Sequence, residues 1–70
     1  MTKAEFQQRY QHYRTQSKQE AEAEMDKANA EGITDDIAVI MRFPGLGWGL
    51  MLGSAAGAIL ALYPDLLKEQ

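Results

Sequence analysis

The sequence predicts an all-α protein with a long polar N-terminal helix, a short connector helix and one C-terminal transmembrane helix. Three observations carry that expectation. Residues 3–31 contain neither Pro nor Gly and are rich in Gln, Glu, Ala, Lys and Arg, which favour helix. Residues 43–64, FPGLGWGLMLGSAAGAILALYP, carry no charge. Within them small residues recur at every fourth position, at Gly45, Gly49, Gly53, Gly57 and Ala61. The chain therefore divides into a polar amphipathic helix over 1–32, a capped connector helix and Pro turn over 33–44, a single transmembrane helix over 45–64 and a short tail over 65–70.

The first helix has a clear start and stop. Thr2 and Glu5 stand at capping-box spacing, where each side chain satisfies a backbone amide of the first turn. Gly32 is the natural stop, because it reaches the left-handed conformation that closes a helix C-terminus. The apolar stripe is thin, with Phe6, Tyr10, Tyr13, Ser17, Ala21, Met25 and Ala28 at intervals of three and four. Extending it as a strict heptad puts Glu20 and Glu24 in the seam, which argues against a self-standing coiled coil. Ordinary helix packing is the favoured reading of the stripe. The alternative is a peripheral docking stripe of Phe6, Tyr10, Tyr13 and Met25, whose rings would anchor a protein contact or rest among lipid headgroups. Charge changes sign along this helix, from Lys3, Arg9, Arg14 and Lys18 to Glu20, Glu22, Glu24, Asp26 and Glu31, and the acidic half disfavours anionic lipid.

The connector, GITDDIAVIMRF, places Thr34 or Asp35 at a helix N-cap and Asp35 and Asp36 in the first turn, where the helix dipole favours acids. It must end before Pro44. Ile33, Ile37, Ile40 and Met41 would share one face, suited to a membrane interface or a partner's groove.

At about 1.5 Å per residue, the run from Leu46 to Tyr63 covers roughly 27 Å as a helix, close to the thickness of a hydrocarbon core. Arg42, Trp48 and Tyr63 fall where interfacial anchors belong. The glycines and alanines dilute the hydrophobicity, and a buried core helix of an oligomer is the competing reading. Bilayer helices associate through close backbone contact, so Gly45, Gly49, Gly53, Gly57 and Ala61 are the expected helix–helix interface, with Trp48, Met51, Ala55, Ile59 and Leu62 opposite. Lys27 and Arg42 on one side against Lys68 on the other place the N-terminus in the cytoplasm or its equivalent. Pro64 ends the helix. No apolar segment resembling a signal peptide precedes it, so insertion would rely on the C-terminal helix.

Catalysis has few candidates. His12 is the only histidine and there is no cysteine, so no metal is expected and no disulfide forms. The apolar segment holds no histidine to ligate haem or a pigment magnesium, and no cofactor is expected. Gly45, Gly47 and Gly49 lack the preceding strand and following Lys of a phosphate loop. A net charge of −3 and a pI near 4.9, without a basic cluster, argue against nucleic acid. Seventy residues also make a core that needs membrane, partner or oligomer for support.

The layout is similar to that of small one-helix subunits of respiratory and photosynthetic complexes, a likeness of architecture rather than of residues. It implies an accessory or assembly subunit, not an enzyme, whose glycine face docks on transmembrane helices of a larger complex while the polar helix braces the aqueous surface. The partners expected are such helices or copies of the chain itself, and the lipid bilayer. Two alternatives stand beside it: a self-oligomerising membrane peptide of holin, toxin or pore type, and a soluble or virion structural helical protein.

Overall fold

A computed structural model describes residues 1–63. The order is α1 (Lys3–Tyr10), α2 (Lys18–Glu31), β1 (Ala38–Phe43), β2 (Gly47–Leu52) and α3 (Gly53–Leu62). The all-α expectation is thereby overturned: β1 and β2 form an antiparallel hairpin, and the helices pack around it.

The capping box at Thr2 and Glu5 is present, and the backbone turns at Gly32 with φ +91°. Between those points the expected single helix is broken. Beyond the C-cap Gln11 the chain leaves the helix so that Thr15 can pair with Trp48, its N–H donating to the Trp48 carbonyl at 2.8 Å and its carbonyl accepting from the Trp48 N–H at 2.6 Å. Ser17 then caps α2 by accepting from the Glu20 N–H. Nothing local forbids helix here; two hydrogen bonds to a distant strand outweigh a modest propensity.

The connector helix expected over 33–44 does not form. Its first residues make a turn in which Asp35 adopts φ +59°, a region an acid tolerates, and the rest is strand. Val39, Ile40 and Phe43 favour the extended chain, where branched and aromatic side chains pack on a pleated surface. Phe43–Pro44–Gly45–Leu46 closes the hairpin as a β-turn, with the Leu46 N–H donating to the Phe43 carbonyl at 2.8 Å. Pro pre-sets the first corner and Gly45, at φ +78°, supplies the positive dihedral that a type II turn requires at the next.

The transmembrane segment is likewise corrected. Residues 47–62 split into β2 and a ten-residue α3, about 15 Å long and half of what a bilayer demands. No helix among the described residues is long and apolar enough to cross a membrane, so the single-pass placement and its cytoplasmic N-terminus fall with it. Pro64 and the tail over 65–70 lie outside the described residues.

One face of the hairpin carries Ala38, Ile40, Leu50 and Leu52, because alternate residues of paired strands point the same way. That face packs on Phe6 and Tyr10 of α1 and Ala28 of α2, and the fully buried members of the cluster are all apolar. Phe6 and Tyr10, one helical turn apart, meet at 4.9 Å between ring centroids with the rings tilted by 47°, and Tyr13 meets Tyr10 edge-on at 5.8 Å.

Candidate functional site: the groove beside the third helix

α1 and α3 both pack on β2 with no close backbone approach to one another among the described residues. The gap between them is a groove of about 350 Å3. Leu50 and Leu52 line its floor, Phe6, Tyr10 and Arg14 one side, and Ala55 and Ile59 of α3 the other.

Arg14 is held in place on the rim. Its guanidinium lies 3.9 Å from the Phe43 ring centroid and donates to the Tyr13 carbonyl at 2.5 Å, so it presents a fixed cation beside an apolar floor. Tyr10 turns its hydroxyl away to donate to Glu24 at 2.8 Å. Burial, reinforced by that carboxylate, pushes the phenol above its ordinary range, so it stays protonated as a hydrogen-bond donor. This set of groups offers an apolar floor and a charged rim. It does not pair a nucleophile with a base.

α3 is held at its start by an acid from outside the helix. Its N-cap, Leu52, has no side chain able to cap. Asp36 takes over: Oδ1 accepts from the Ile37 and Ser54 N–H groups at 2.9 and 3.3 Å, and Oδ2 accepts from the Ser54 hydroxyl at 2.5 Å. Lys3 stands 3.9 Å away. The Ser54 hydroxyl, followed by the backbone donors, holds the carboxyl below its usual range. Beyond this clasp only Ala56 of α3 is buried, and at the helix end Leu62 and Tyr63 are 75% and 63% exposed.

The residues singled out from sequence are scattered by this fold. Gly45 is in the turn, Gly49 in β2, Gly53 and Gly57 in α3 together with Ala61, so the five do not share one helix face. Of the five only Gly49, together with Gly47 outside the repeat, serves close passage of the 13–16 segment. A Cβ on Gly49 would lie 2.9 Å from the Tyr13 carbonyl oxygen, and one on Gly47, which also needs φ +96°, 2.5 Å from that of Thr15. Gly57 faces open space. Arg42 and Trp48 are cross-strand partners, with Lys18 5.4 Å from the centre of the Trp48 indole, while Tyr63 is exposed. Phe6 and Tyr10 are buried in the core, and Tyr13 and Met25 are packed against it. The stripe is therefore turned inward.

Sequence reasoning missed the groove and the clasp. The signal for the groove was present in Trp48, Leu50 and Leu52 at alternate positions after a Pro–Gly pair, the pattern of a hairpin strand. Asp36 was read as a first-turn acid of a connector helix, not as the acid that caps α3. His12 is exposed, and no cluster of three or more potential metal ligands occurs among the described residues. Compared with protein-family models, curated proteins and solved structures, the chain matches none.

Proposed function

We propose that this chain is a non-catalytic accessory or assembly protein that acts by docking on a larger protein, with α3 and the groove beside it as the contact. The observation that carries this reading is the condition of α3. It has no charged residue over Gly53–Leu62, yet the fold fully buries only Ala56 of it and leaves Ala55, Ile59 and Leu60 half-buried. A solvated helix of a small protein normally shows a polar outer face, and a contiguous apolar one marks an interaction surface. The groove extends that surface with the Leu50–Leu52 floor, and Arg14 supplies a polar rim that orients what binds. The accessory role expected from the sequence is thus kept without a membrane span, and its contact moves from a glycine face to an apolar helix.

The test uses a photo-crosslinking residue placed at Ala58 or Leu62, with Gln8 on the outer face of α1 as control, in cells that make the protein. The reading predicts one discrete adduct from the α3 positions and none from Gln8. Equal labelling at all three, or no adduct from α3, overturns it.

A further inference from the structure

The two edges of the hairpin are not alike. At β2, Trp48 is paired with Thr15, and no chain segment pairs with β1 in that way among the described residues; a helix lies on each strand, α1 on β2 and α2 on β1. At β1 the outward backbone groups belong to Ala38, Ile40 and Arg42. This follows because Trp48, opposite Arg42, turns its own groups outward to Thr15, and outward groups recur at every second residue. Ala38 is served by a side chain: Asn29 accepts from its N–H at 2.8 Å and donates to its carbonyl at 3.0 Å, so the amide imitates a neighbouring strand for one residue. Ile40 and Arg42 have no such partner among the described residues. They form an open edge, long enough for two bonded residues.

Acidic residues flank this edge. α2 runs antiparallel to β1, with Lys18 near Trp48 at one end and Asn29 on Ala38 at the other. Glu22 and Asp26 share the helical stripe of Asn29 and therefore flank the same edge. Neither they nor Arg42 make an ion pair among the described residues. The strand that fits is extended and carries a single cation at the right place, and β1 itself is such a strand.

We propose that β1 pairs with β1 of a second copy of this chain, antiparallel about a two-fold axis at Met41. In this register Ile40 of each copy bonds to Arg42 of the other, all the open groups are satisfied, and the Ala38–Asn29 contacts stay intact. Registers centred elsewhere either compete with Asn29 or set two Arg42 side chains opposite each other. The chosen one carries each Arg42 to the position beside Ile40 of the other copy, below the Asp26 turn of that copy's α2. The two hairpins become one four-stranded sheet, and the contact does not use the groove beside α3.

Amide hydrogen exchange by NMR, read with sedimentation over a concentration series, tests the proposal. Val39, Met41 and Phe43 point into the hairpin and are protected at every concentration. Ile40 and Arg42 gain protection of roughly tenfold or more in step with the dimer fraction. Ile40→Pro removes an outward N–H, which an edge strand tolerates, along with part of a side chain packed against the core, and leaves a monomer. Should that variant fail to fold, Asp26→Lys on the outer face of α2 weakens the dimer roughly tenfold and Arg42→Asp in the same chain restores it. A monomer at all concentrations with Ile40 and Arg42 exchanging freely, as expected if the edge serves a strand of another protein, overturns the proposal. So does protection that ignores concentration, or a dimer that Asp26→Lys leaves unchanged.

Discussion

Gly49 and Gly57 belong to the same four-residue repeat, yet a methyl group added at each meets opposite surroundings. At Gly49 it would crowd the Tyr13 carbonyl and the Arg14 guanidinium, both at 2.9 Å, and the former is backbone with little room to retreat. Gly49→Ala is therefore expected to cost about 1–3 kcal/mol. Gly57 is helical with nothing within 4 Å, so Gly57→Ala should gain about 0.5–1 kcal/mol through lost backbone freedom in the unfolded chain. Denaturant unfolding of the two variants measures both, and equal losses would contradict this placement. The repeat was visible in the sequence; its meaning was not. Spacing of four is a helical signal only if the backbone is helical, and here the glycines answer to a turn, a neighbouring chain segment and a helix in succession. Thr2 and Glu5 could be read correctly because a capping box is complete within four residues and needs no tertiary information.

At the scale of elements, the fate of α3 depends on Asp36. Its carboxyl is held below the usual range by the Ser54 hydroxyl and backbone donors, so its contribution to stability is fully present above the unfolded aspartate pKa of about 3.9 and is lost as pH falls through the lower folded value. Asp36→Asn should accordingly be less stable than the parent at neutral pH, with the difference shrinking below about pH 4. A gap that stays constant from neutral to acid pH would show that the carboxylate does not hold the helix. The same scale explains why the connector was misread. Asp35 and Asp36 followed by an apolar run match a helix start, and only the turn at Asp35, with φ +59°, and the pairing of Ile40 with Leu50 reverse that reading. The long first helix failed for a similar reason. No residue in 11–17 breaks a helix outright, and the bonds from Thr15 to Trp48 that do so join positions far apart in sequence.

For the whole molecule, an uncharged run long enough to span a bilayer is divided among three structures. Phe43, Pro44 and Gly45 turn the chain, Leu50 and Leu52 enter a core roofed by α1 and α2, and Leu62 and Tyr63 remain exposed at the end of α3. Composition and helix length alone favour the spanning helix. The hairpin wins because the polar helices supply Phe6, Tyr10 and Ala28 as a cover for one strand face, which the run cannot supply for itself. The docking reading depends on this partition, since only a short α3 standing apart from α1 leaves both an apolar face and a groove. NMR of the full chain in aqueous buffer tests the partition most directly, through contacts between α-protons of residues 40–50. The hairpin predicts strong cross-strand signals from Arg42 to Trp48 and from Ile40 to Leu50, pairs that face each other without exchanging hydrogen bonds. Sequential helical contacts running unbroken from Leu46 through Leu62, with no cross-strand signal, would contradict it.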